Sequence, residues 1–173
     1  MTTYPTRTVY SEMASFGERM SLRWGRYSSV LLRIALGVGF LSAVADRFGW
    51  WGPFGEPNVD WGNFSRFLEY TQRVNSFVPA EMIPALGIIA TVAEIVLGLL
   101  LLVGWRTRAT ALLSALLLLT FGVAMMFGLG VKAPLNYSVF AAMGGSLLLA
   151  NCQSFPFSLD QLRLRRTHLA ESG

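Results

Sequence analysis

Arg33, Asp46, Arg47 and Glu94 are ionisable side chains set inside, or at the edge of, strongly apolar runs. The first three belong to VLLRIALGVGFLSAVADRFGWWG, residues 30–52, and the fourth to TVAEIVLGLLLLV, residues 91–103. A charge in a dry interior is expensive unless it is paired or neutralised, so residues of this kind mark proton relays, counter-charges for ligands, or locks between helices. Glu94 stands about ten residues into its run, close to the midplane of a helix that would cross a bilayer, where a carboxyl can take up and release a proton. Arg33 stands about five residues into its own run, about 7 Å from the start at 1.5 Å per residue. If the two runs are antiparallel neighbours, their depths differ by about 7 Å, which an arginine side chain spans. The spacing therefore predicts an Arg33–Glu94 pair inside the molecule. The alternative reading turns Arg33 out to interfacial phosphates, keeps Glu94 protonated as a hydrogen-bonding clamp, and leaves Asp46 and Arg47 as ordinary interface charges.

The neighbouring residues extend this stripe. Gly87, Thr91, Glu94 and Gly98 recur at helical spacing on one face, and Ala35, Gly39 and Ala43 form a row of small residues that lets helices approach closely. Asn136 and Tyr137 open a further apolar run at a depth like that of Asp46. Arg33, Asp46, Thr91 and Asn136 are thus the candidate lining of a ligand pocket, with Glu94 as the candidate proton-transfer group. Other chemistry is poorly represented. Cys152 is the single cysteine, which excludes an intramolecular disulfide and a C-x-x-C redox pair, and His168 is the single histidine. A His-based metal or haem site is therefore not expected, and no metal is assigned. Met125 and Met126, with Phe121 and Phe127, read as lipid-facing or core filler.

The elements that must position these residues are four apolar blocks: 28–48, 83–103, 109–129 and 134–150. The chain has 173 residues, 53% hydrophobic and 14% charged, whereas soluble domains carry about 25% charged residues. Blocks of about 20 apolar residues cross about 30 Å of hydrocarbon as helices, because lipid offers no partner to an open backbone. The fold expected is an all-α integral membrane four-helix bundle. Its domains are an N-terminal segment 1–27, a transmembrane domain 28–152 that includes an outer loop 49–82, and a basic tail 153–173. In that loop Trp50, Trp51 and Trp61 suit a membrane–water interface. Residues 64–78 place Phe64, Phe67, Leu68, Thr71, Val74 and Val78 on one helical side. Asn63 is a candidate N-cap and Glu69–Arg73 a candidate i,i+4 pair, so a short amphipathic helix is expected over the bundle, either as a lid alone or as the roof of a site.

The net charge is +4, and the arginines that make it flank apolar blocks, which argues for topology signals rather than nucleic-acid binding. Arg7, Arg19, Arg23 and Arg26 precede the first block. Arg106 and Arg108 fill the second turn, and Arg163, Arg165 and Arg166 follow the fourth block. This bias puts both termini in the cytoplasm. Ala43-Val44-Ala45 before Asp46 imitates a signal-peptidase site, but the long acid-containing lead and Arg33 favour a retained span.

LLRIALGVGFLSAVADRFG, AEIVLGLLLLVGWRTRATALLSALLLL and the terminal FPFSLDQL resemble the DoxX/DoxD-like family of small bacterial membrane proteins. The likeness runs from about residue 28 to 162. It implies a four-helix bundle in the bacterial plasma membrane and a link to redox work. The DoxD type is a subunit of a thiosulfate:quinone oxidoreductase, and other members associate with thiol-handling or superoxide-handling partners. Under this resemblance Arg33, Asp46 and Glu94 occupy the family's polar span positions. Three functions follow as expectations. The first is a redox-associated subunit with partner subunits, a quinone head group near Glu94 taking hydrogen bonds from Arg33 or Asn136. The second is a scaffold without a site of its own, and the third a small-solute or proton permease, working most easily as a homo-oligomer.

Overall fold

The computed structural model describes residues 6–163, with side chains from Trp24 onward. The side chains of Arg7, Arg19 and Arg23, and residues Arg165, Arg166 and His168, lie outside the described residues. Regular structure among the described residues is all helical, as expected.

Helix α1 (Thr6–Arg47) is 42 residues long, because no proline interrupts the chain between Thr6 and Arg47. Its part Trp24–Arg47 is long and apolar enough to cross a membrane, and the helix also runs on before it to Thr6. Helix α2 (Phe64–Val74) lies in the loop and is capped as expected, with the Asn63 side chain accepting from the Arg66 backbone N–H at 3.0 Å. Its ion pair differs from the expectation: Arg66 donates to Glu69 one turn on, at 3.0 Å, in place of a Glu69–Arg73 contact. Helix α3 (Ile83–Val103) has Pro84 in its first turn and ends at Gly104, whose φ of 67° is the left-handed conformation a glycine adopts freely. Helix α4 (Thr107–Leu129) follows after a tight turn.

The fourth block departs from a single span. It divides into α5 (Lys132–Asn136) and α6 (Val139–Ala150), separated by Ser138 at φ 54°. Asn136, Tyr137 and Ser138 are all weak helix formers, and the Ser138 backbone N–H closes a turn onto Leu135 instead of continuing the helix. The 12 residues of α6 reach about 18 Å, less than the hydrocarbon thickness, so among the described residues three helices have full spanning length and the fourth is short.

The bundle is a ring. Helix α1 packs chiefly on α3 and α4 chiefly on α6, while α3–α4 and α1–α6 contacts close the circle. The close approach of α1 to α3 falls at Gly37 and Gly98: a Cβ at Gly37 would sit 2.9 Å from the Gly98 carbonyl oxygen. The Ala35–Gly39–Ala43 row is therefore not the tight seam, and Gly39 meets nothing within 4 Å on its open side. Helix α2 crosses one end of the bundle and rests on α3 and α4. Leu97, Leu101, Ala111, Leu118 and Leu149 belong to a hydrophobic core that runs on to Met125, Val139 and Val74 of α2. Ile88, Ile89, Val92, Val96, Leu112, Leu113 and Leu116 point outward and are exposed, the surface a helix presents to lipid.

Candidate ligand pocket at the α2 end of the bundle

Glu94 is 3% exposed, and its partner is Arg47, itself 2% exposed, in a buried ion pair. The pairing follows from antiparallel packing. With Gly37 opposite Gly98, the end of α1 lies beside residues 88–91 of α3, and the Arg47 side chain runs inward to the carboxylate. Arg47 Nη1 also donates to Thr91 Oγ1 at 2.9 Å, and that hydroxyl donates to the Gly87 carbonyl at 2.8 Å. The guanidinium lies 3.8 Å from the ring centre of Phe67 and 5.3 Å from that of Trp61, so α2 and the loop cover it with aromatic faces. Arg47 Nε has no hydrogen-bond partner among the described residues.

Asp46, 5% exposed, anchors the loop. Its Oδ2 accepts from the backbone N–H groups of Trp61 at 2.9 Å and Asp60 at 3.2 Å, which fixes the aromatic segment against the end of α1. Its Oδ1 is buried without a hydrogen-bond partner among the described residues.

These groups border a cavity of about 780 Å³. Gly39, Ala43, Leu86, Ala90, Ala124 and Met125 line its apolar part, with Glu94 and Arg47 on its wall; Asp46, Asp60, Trp61, Tyr70 and Tyr137 line it toward the loop. The Tyr137 hydroxyl donates to Asp60 Oδ1 at 3.3 Å. Burial pushes the Tyr70 phenol up to about 12, with Tyr137 and Asp60 adding to the effect. Burial, then the Asp60 carboxylate, also raises Tyr137.

The predicted Arg33–Glu94 pair does not form. Arg33, 3% exposed, is at the far end of the bundle and donates to four carbonyls: Leu101 at 3.0 Å, Leu102 at 3.1 Å, Pro156 at 2.9 Å and Phe157 at 3.1 Å. The open C-terminus of α3 offers unpaired carbonyls there, and a planar five-donor fork meets them better than a distant carboxylate. Of the other expected lining residues, Asp46 borders the cavity, Thr91 sits behind Arg47, and Asn136 is exposed on α5.

Residues 25–136, well over half of the chain, match the family described as methylamine utilisation protein MauE. The chain belongs to the MauE family. It is therefore a membrane protein, and the DoxX resemblance is met only at that broader level. No curated protein and no solved structure matches the chain. The MauE segment runs from the apolar part of α1 to the end of α5 and holds Arg33, Asp46, Arg47, Asp60, Thr91, Glu94 and Asn136; α6 and the FPFSLDQL segment lie beyond it. Of the cavity residues, sequence reasoning gave no role to Asp60 and Tyr70, read Arg47 at most as an interface charge, and placed Tyr137 only at the start of the fourth run. A signal for Arg47 was present: it stands fourteen residues after Arg33, close to four helical turns, and so nearly on the same face of α1.

Proposed function

We propose that this MauE-family protein is a membrane subunit of a redox system for methylamine utilisation, acts with partner proteins, and takes a quinone head group into the α2-end cavity. The observation that carries this reading is the buried Arg47–Glu94 pair on the wall of a largely apolar cavity, with Arg47 Nε still unpartnered among the described residues. Arg47 would donate to a ring oxygen, and Glu94 would accept or return the proton that accompanies reduction. A quinone supplies two-electron redox chemistry when bound. Leu86, Ala90, Ala124 and Met125 would sheathe its apolar part and exclude water. With both termini in the cytoplasm, as the arginine bias suggests, the cavity faces the outer side of the bacterial plasma membrane.

The test is purification in mild detergent followed by solvent extraction and by activity in membranes. Quinone should extract with the wild-type protein and less with Glu94→Gln, and quinone-coupled turnover of the complex should fall. Equal quinone and equal turnover in a variant present at normal levels would overturn the proposal.

A scaffold reading has its own support, because Arg47 is gripped by Thr91, Glu94, Phe67 and Trp61 at once and could simply pin α2 to the bundle.

A further inference from the structure

The carboxylates around the cavity outnumber its cations. Asp46, Asp60 and Glu94 line it, and Arg47 is the one basic side chain among its lining residues. Arg47 is committed to Glu94. Neither Asp46 nor Asp60 has an arginine or lysine in ion-pair contact among the described residues. The backbone donors of Asp60 and Trp61 satisfy one oxygen of Asp46; the other is buried and unpartnered among the described residues, on a residue that lines the cavity. A buried carboxylate oxygen without a donor is costly to leave unmade, so it asks for a ligand that brings one. Trp61, Tyr70 and Tyr137 line the same cavity, and aromatic faces attract cations, as the seating of Arg47 over Trp61 and Phe67 already shows in this molecule. Asp60 is exposed at the same place, which supplies an entry that draws positive charge from solvent.

We propose that Asp46 Oδ1, the Asp60 carboxylate and the surrounding rings of Trp61, Tyr70 and Tyr137 form a site for a small organic ammonium ion with N–H donors. A protonated primary amine fits this set best. Its N–H groups satisfy Asp46 Oδ1 and Asp60 together, and its alkyl part lies against the rings. A fully alkylated ammonium ion would match the rings but leave the Asp46 oxygen unpaired. The site concerns the loop side of the cavity and does not depend on the quinone reading.

The test is calorimetric titration of the full-length protein in lipid nanodiscs with methylammonium chloride. Sodium chloride and tetramethylammonium chloride at equal ionic strength are the comparison probes. Saturable binding of methylammonium is expected, with tetramethylammonium at least about tenfold weaker and sodium without saturation. Asp46→Asn keeps an acceptor for the loop N–H groups, and Asp60→Asn alters an exposed side chain, so D60N retains the fold if D46N does not. Each should weaken methylammonium at least about tenfold. No saturable methylammonium heat, or wild-type affinity in D60N, overturns the site. Sodium binding as well as methylammonium overturns it in favour of an inorganic cation site.

Discussion

Arg47 joins four groups, the carboxylate of Glu94, the hydroxyl of Thr91 and the rings of Phe67 and Trp61, so its loss is felt on α1, α2, α3 and the loop together. Removing one partner of a buried pair strands the other charge. Glu94→Ala or Arg47→Ala alone should destabilise by about 3–5 kcal/mol, and the Arg47→Met, Glu94→Leu double variant by less than either. Thermal unfolding in detergent checks this: additive losses would show that the two side chains do not act as a pair. Asp160 makes a second residue-scale case. Its carboxylate accepts from the backbone N–H of Arg106 at 2.8 Å and of Thr107 at 2.7 Å, and so caps α4 from outside the helix. Asp160→Ala should cost about 1–2 kcal/mol. Tyr70 gives a pH prediction. Its folded value is raised, mainly by burial, from 10.0 to about 12. The neutral phenol is thus favoured in the fold, so this contribution is complete below the unfolded value and is lost as pH rises through the folded one. Tyrosinate absorbance should show a component titrating late, and Asp60→Asn should bring it earlier.

At the scale of elements, two glycines on α1 have opposite tasks. A side chain at Gly37 would meet Leu102 at 2.8 Å and the Gly98 carbonyl at 2.9 Å, whereas Gly39 faces open space. Gly37→Leu should force α1 from α3 and lower the thermal midpoint. Gly39→Ala should hold or raise it, since alanine favours a helix interior by about 0.5–1 kcal/mol over glycine. Equal losses for both would mean that the seam lies elsewhere. Helix α2 is positioned by the same logic: a Cβ at Gly128 on α4 would fall 2.6 Å from the Arg73 carbonyl oxygen, so the small residue lets the cover seat against the bundle. Arg33 seals the other end by tying α1 to the last carbonyls of α3 and to residues 156–157.

For the whole molecule, the decisive division is between a packed end and a hollow end. The packed end carries Arg33, Asp160 and the tight α3–α4 turn; the hollow end carries α2, the aromatic loop and the cavity. Placed in a membrane by the arginine bias, the two ends face opposite compartments. A membrane-impermeant maleimide should therefore label Ser65→Cys on exposed α2, in a Cys152→Ser background, from outside intact cells. The native Cys152 should react only after the membrane is opened. Labelling of both from the same side would contradict the topology.

The sequence by itself determined the helical class, the membrane setting, the cap at Asn63 and the side of α2 that is buried, because these depend on residue type and spacing within one segment. It also singled out Glu94 and Asp46 as charges requiring partners. The identity of the partners was decided by tertiary structure. Arg33 and Arg47 have the same side-chain chemistry and nearly the same angular position on α1, and only the register of α1 against α3, set where Gly37 meets Gly98, assigns Arg47 to Glu94 and Arg33 to the end of α3. The gathering of Asp46, Asp60, Tyr70 and Tyr137 around one cavity is likewise tertiary, since it joins residues of separate elements whose mutual distances no local pattern encodes.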